Sequence, residues 1–113
     1  MQRLFIESRI FQKFAEALPR EFLRNLQNLI LKEPKAGDVV RGLGGIRKIR
    51  MAKRGVGKSG GYRILYLDFP KSRVCFLLFA YEKSQQETLS SEEMKEAQKL
   101  VHRLKQEMRD EKN

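Results

Sequence analysis

The chain has 113 residues, with 24 Lys and Arg against 14 Asp and Glu, for a net charge of +10. That length suits one domain, residues 1–113, with a hydrophobic core of its own, and an apolar fraction of 41% argues against disorder. A single cysteine, Cys75, excludes an internal disulfide, and no segment has the length or unbroken apolarity of a membrane span or signal peptide. The expectation is a cytoplasmic protein in a reducing compartment with no membrane partner.

Leu4-Phe5-Ile6 reads as a first strand ending near Glu7. Ser8 can cap a helix whose Phe11, Phe14 and Leu18 share one face. Pro19 breaks that helix at Leu18 and suits the first turn of a second, from Pro19 to Lys32, with Phe22, Leu26, Leu29 and Ile30 on its apolar face. The two form a helical hairpin that must bury its stripe against another layer.

Pro34 and Gly37 begin a loop, and Gly42, Gly44 and Gly45 precede a strand at Ile46–Ala52. Side chains alternate along a strand, so Ile49 and Met51 share one face and Lys48 and Arg50 the other. Residues 53–61 read as a glycine-rich hairpin loop carrying Lys53, Arg54 and Lys58. Tyr62–Phe69 is a strand, Pro70-Lys71-Ser72 a turn, and the nearly continuous apolar run Arg73–Glu82 a central strand covered on both faces. Ser90 opens the last helix, with Glu93 placed for a capping box and Met94, Ala97, Val101, Leu104 and Met108 forming its stripe. The predicted order is β-α-α-β-β-β-α, an α+β fold with a helical hairpin on a curved, mainly antiparallel sheet and a C-terminal helix.

Residues 39–81 hold ten bases and one acid, so nearly all the excess charge sits on the middle strands and their loops. Such a segment faces a polyanion: RNA, DNA or an acidic protein. Familiar catalytic constellations are missing. One Cys and one His, His102, cannot build a zinc site, and Asp68 is the only acid in the basic segment, which leaves no paired carboxylates for two-metal chemistry. Gly55-Val56-Gly57-Lys58-Ser59 lacks the glycine spacing of a phosphate loop. No metal or cofactor is expected. What remains is chemistry that Lys and Arg can perform on a phosphodiester. RNA supplies its own nucleophile, the 2′-hydroxyl. The protein must orient it, help remove its proton, stabilise charge on the phosphoryl oxygens and protonate the leaving 5′-oxygen. Clustered cations stabilise that charge and lower one another's proton affinity, so a lysine among them can act as a base.

The strand order, Arg-Gly-Leu-Gly-Gly at 41–45, Arg47-Lys48-Ile49-Arg50, Gly60-Gly61-Tyr62-Arg63-Ile64-Leu65-Tyr66 and Phe79-Ala80-Tyr81-Glu82-Lys83 together resemble the RelE-type toxins of bacterial toxin–antitoxin systems, within the RelE/ParE superfamily. Gly-Lys-Ser-Gly-Gly before the Tyr-Arg strand and Leu-Ser-Ser-Glu-Glu at the last helix are most similar to the HigB-like branch. The resemblance implies a toxin that enters the ribosomal decoding site and cleaves mRNA to a 2′,3′-cyclic phosphate. Its partners would be the ribosome, mRNA and a cognate antitoxin with a helix-turn-helix DNA-binding domain. Carried over by position, one of Lys48 and Arg50 serves as candidate base and the other as phosphate clamp, Arg63 as transition-state stabiliser, and Lys83 as phosphate ligand or proton donor. Arg47, Lys53, Arg54 and Lys58 are candidates for RNA or ribosome contact. Lys83 is an arginine in the best-studied branch. The base-stacking tyrosine that follows there is replaced here by Ser84-Gln85-Gln86-Glu87, leaving Tyr81 and Tyr62 as candidates for that role. Two other readings keep the fold: a ParE-like gyrase inhibitor acting by protein binding, and a non-catalytic RNA-binding module.

Overall fold

A computed structural model describes residues 2–53 and 60–109. The chain runs β1 (Leu4–Glu7), α1 (Arg9–Glu16), α2 (Arg20–Lys32), β2 (Asp38–Val39), β3 (Arg47–Met51), β4 (Tyr62–Phe69), β5 (Val74–Glu82) and α3 (Ser91–Glu107). Local chemistry sets the helix starts. The Ser8 hydroxyl accepts from the Phe11 amide at 3.0 Å, and Pro19, in extended conformation, is the N-cap of α2. Ser90 and Glu93 exchange both capping-box hydrogen bonds, Glu93 N to Ser90 Oγ at 3.1 Å and Ser90 N to Glu93 Oε1 at 2.8 Å. The Ser90 backbone amide, as the main influence, holds the Glu93 carboxyl below its ordinary range.

The five strands lie in the order β1-β5-β4-β3-β2. β1 runs parallel to β5 and every other neighbour pair is antiparallel, which confirms the mainly antiparallel sheet. The short β2 is an addition to the predicted order. Two residues are too few to show an alternating pattern, and both are exposed. Their position is set from outside: the buried Tyr66 hydroxyl donates to Pro34 O at 2.8 Å and accepts from Gly37 N at 3.1 Å, anchoring the turn that leads into β2.

Each face of the sheet carries its own core. On one side the α1–α2 hairpin buries Phe11, Leu26 and Ile30 completely against Ile49, Ile64, Tyr66 and Leu77. On the other, Ala97, Val101 and Leu104 of α3 cover Leu65, Leu67, Phe76 and Leu78, with Leu43 and Ile46 of the preceding loop beneath them. Each fully buried aliphatic or aromatic side chain contributes about 1.5–3 kcal/mol, so β4 and β5, apolar on both faces, tie the two layers together. The long-range Arg3–Asp68 pair adds a bidentate link at 2.7 Å between the residue preceding β1 and β4. No helix among the described residues is long and apolar enough to cross a membrane.

One irregularity decides which side chains share a face. Leu65 pairs with Phe79 but Tyr66 pairs with Leu77, so Leu78 is an extra residue in β5. The bulge reverses the alternation beyond it. Cys75 and Leu77 face the helical hairpin, whereas Phe79 and Tyr81 face the α3 side.

Candidate functional site

The face that α3 covers continues past the helix into an open cleft. In register, Arg50 of β3 lies opposite Arg63 of β4, which lies opposite Tyr81 of β5; Lys48 lies opposite Leu65. The alternation that buries Ile49 and Met51 under the hairpin turns Lys48 and Arg50 to this side. The bulge at Leu78 brings Tyr81, and two residues later Lys83, onto the same side. Lys48, Arg50, Arg63 and Lys83 therefore line one cavity of about 500 Å3, together with Asp38, Val39, Val40, Arg41 and Glu87. All four residues predicted to carry the chemistry converge there.

Like charges placed directly across a sheet destabilise it, and this cleft sets Arg50 against Arg63, with Arg63 only 6% exposed. Arg63 Nη1 donates to Tyr62 O at 3.3 Å, which holds the guanidinium in the cleft floor. A concave surface that gathers these four cations, one of them held in its floor, is suited to an anion whose charge is spread over several oxygens.

The residues around the cleft fall into other roles. Tyr81 is 5% exposed, and its hydroxyl donates to Glu87 O at 3.2 Å. Burial raises its pKa and the nearby Arg63 charge pulls it down. Tyr81 thus forms the wall behind Arg63 and tethers the Glu87 loop; it presents no open ring for stacking. Tyr62 lies outside this cleft: it faces the opposite layer, with Phe14 and Phe22 edge-on at 5.4 Å each. Arg47 also leaves the basic face, because it shares the phase of Ile49. Its Nη1 donates to Gly37 O at 2.8 Å and Lys35 O at 3.4 Å, pinning the loop before β2. Lys53 is held by Glu82 at 2.6 Å, a hydrogen bond that raises its pKa and lowers that of Glu82. Arg54 and Lys58 lie outside the described residues. His102 is exposed, away from the cleft. Cys75 is fully buried, and burial pushes its thiol up to about 12, which removes it as a nucleophile.

Arg41 and the two acids of the cleft, Asp38 and Glu87, had no assigned role in the sequence reading. Arg41 reaches the rim because Leu43, two residues on, is buried under α3, and Gln98 of α3 donates to Gly42 O at 3.3 Å. Gly44 and Gly45 allow that turn with φ of +64° and +109°. The Arg-Gly-Leu-Gly-Gly stretch was the available signal for it. At the other end, Gly61 is required by close approach: a Cβ there would collide with the Met51 carbonyl oxygen. That contact lets β3 and β4 close together at the level of Arg63.

Comparison with known proteins agrees with this architecture. A chain of the E. coli toxin RelE, solved in the free state as a variant with two arginines replaced by alanine, is 21% identical. It superposes with a TM-score of 0.59 over 89% of this chain and 99% of that one, a likeness of fold. The family model of the RelE toxin of the RelE/RelB toxin–antitoxin system matches residues 5–112, so the chain belongs to the RelE toxin family and is a toxin of a toxin–antitoxin system.

Proposed function

We propose that this toxin is a ribosome-dependent, metal-independent endoribonuclease that cuts mRNA and so stops translation. The observation that carries the reading is the convergence of Lys48, Arg50, Arg63 and Lys83 in one cleft. In the reaction, the 2′-oxygen of the nucleotide before the cut attacks the adjacent phosphorus and the bond to the 5′-oxygen breaks. The products are a 2′,3′-cyclic phosphate and a free 5′-hydroxyl. Lys48 accepts the 2′-hydroxyl proton, and Arg50 holds a phosphoryl oxygen. Arg63, fixed in the cleft floor, stabilises the extra negative charge of the transition state, and Lys83 delivers a proton to the departing 5′-oxygen. Orientation of the attacking oxygen in line with the leaving group is the part left to the ribosome. A cytoplasmic site of action and a cognate antitoxin with a helix-turn-helix domain belong to the same reading. So does the HigB-like branch, which rests on the Gly57-Lys58-Ser59-Gly60-Gly61 and Leu89-Ser90-Ser91-Glu92-Glu93 stretches.

The test is mRNA cleavage in a purified translation system with and without ribosomes, comparing the wild type with Arg63→Ala. Cuts should require ribosomes, and the variant should lose about 100-fold in rate, the scale of one removed charge stabiliser. Ribosome binding without any cut would overturn the nuclease reading and direct the search to gyrase.

A further inference from the structure

A second cavity of about 500 Å3 lies beside the cationic cleft, and Arg50 lines both. It runs between α2 and the outer edge of β3. Its floor is Phe22, Met51 and Tyr62, each less than a tenth exposed, and its sides are Pro19 and Leu29. β2 pairs with β3 only at Arg47 and Lys48, so among the described residues no strand covers the outer edge of β3, the edge away from β4, from Ile49 onward. Arg50 therefore joins the cleft to the groove at this edge of the sheet.

We propose that this groove receives the base of a nucleotide flanking the scissile phosphate and favours bases that carry an exocyclic amine; the proposal rests on the nuclease reading above. Small ligands occupy slots that are mostly apolar with a few placed polar groups. Unpaired RNA bases are recognised by covering the ring and hydrogen-bonding its edge. The groove has both parts. Its aromatic and aliphatic floor covers a ring, and Glu21 and Asn25, exposed on the first turns of α2, stand at its polar rim. Arg50 supplies positive charge where the groove meets the cleft, and Lys53, held by Glu82, also lines it.

Glu21 sets the preference. Its carboxylate only accepts hydrogen bonds, so it suits the amine of adenine, cytosine or guanine and repels the carbonyl that uracil presents in the same place. Asn25, which both donates and accepts, completes the edge contact. An apolar peptide would also fill the slot by shape. Continuity with the cationic cleft through Arg50, which lines both, favours the nucleotide.

The test titrates the isotopically labelled protein with adenosine 5′-monophosphate and uridine 5′-monophosphate and follows backbone and Asn25 side-chain amide signals. The adenosine nucleotide should perturb Met51, Ala52 and Asn25 and bind about tenfold more tightly than the uridine nucleotide, the scale of one good base-edge contact. Glu21→Gln should bring the two within about twofold of each other by removing the carbonyl-repelling charge. Ala52→Phe, an exposed position in the groove, should abolish the Asn25 perturbation. Shifts confined to Lys48, Arg63 and Lys83, or equal affinity for both nucleotides, would overturn the proposal. So would an Ala52→Phe variant that loses antitoxin binding while its nucleotide shifts are unchanged, since the groove would then belong to a protein. The titration requires no cleavage and so separates the two readings. Nucleotide discrimination without ribosomal cutting removes the nuclease and keeps the base site; cutting with no discrimination does the reverse.

Discussion

Replacing Arg50 by Gln should make the protein more stable and nearly inactive, and both effects follow from the same geometry. Arg50 lies in register with Arg63, shares a cavity with Lys48 and Lys83, and forms no ion pair among the described residues. A like-charged pair directly across two strands costs about 0.2–1 kcal/mol, and with Lys48 two residues along the same face the gain on neutralising Arg50 is about 1 kcal/mol. Glutamine keeps much of the aliphatic stem and leaves no buried group unpaired, because Arg50 is exposed. For a domain of this size the expected rise in Tm is about 3–6 °C. Thermal unfolding followed by circular dichroism in chloride buffers measures it. Screening lengths fall from about 30 Å at 0.01 M salt to about 3 Å at 1 M, so the difference should be largest at low salt and vanish at high salt. The variant's rate of mRNA cleavage should fall about 100-fold. A variant that melts lower than the wild type, or whose advantage persists in 1 M salt, would refute the idea that mutual repulsion strains the cleft.

Three other predictions concern the scaffold. Arg3 and Asp68 have side chains only 4% and 11% exposed, so Asp68→Ala should cost about 3–5 kcal/mol by chemical denaturation, while the double change Arg3→Met with Asp68→Leu should recover most of it. Ser90→Ala removes a capping hydrogen bond from α3 and should cost about 1 kcal/mol in the same assay, with a normal m-value. Stability should also fall in alkali. Burial raises the Cys75 thiol from 9.0 to about 12, and raises Tyr66 and Tyr81 as well. The folded state thus holds these protons more tightly than the unfolded chain does. For Cys75 the stabilisation is complete below pH 9 and is lost as the pH climbs towards 12. The urea midpoint should decline over that window, with a shallower slope in Cys75→Ala; an equal slope in the variant would contradict the assignment.

Much of this fold is legible in the sequence because local chemistry marks it. Ser8, Pro19 and the Ser90–Glu93 pair fix helix starts by hydrogen bonding or ring geometry, and the bounds of β4 coincide with the expected Tyr62–Phe69. The site divides differently. The facing of Lys48 and Arg50 follows from the period of two on a strand with one apolar face. The same rule already places Arg47 with Ile49 and away from them, so its exclusion from the cleft was readable. β4 gives no such signal, since it is buried on both faces, and alternation alone leaves the direction of Tyr62 and Arg63 open. The decisive feature, the extra residue at Leu78, leaves no mark in a run of consecutive apolar residues. It depends on how β4 and β5 register against each other, which is a property of the assembled sheet. Lys83 joins Arg63 only because of it.

The most direct test of the central claim is the chemistry of the cut itself. A message carrying a single 2′-deoxynucleotide immediately before the mapped cleavage point, programmed into ribosomes with wild-type toxin, isolates the nucleophile. The unmodified message should yield a 2′,3′-cyclic phosphate and a 5′-hydroxyl, and the deoxy-substituted message should be bound but not cut. Cleavage of the deoxy-substituted message, or a product ending in a 3′-hydroxyl, would contradict that claim, because the Lys48, Arg50, Arg63 and Lys83 cluster would then be serving a nucleophile other than the RNA's own.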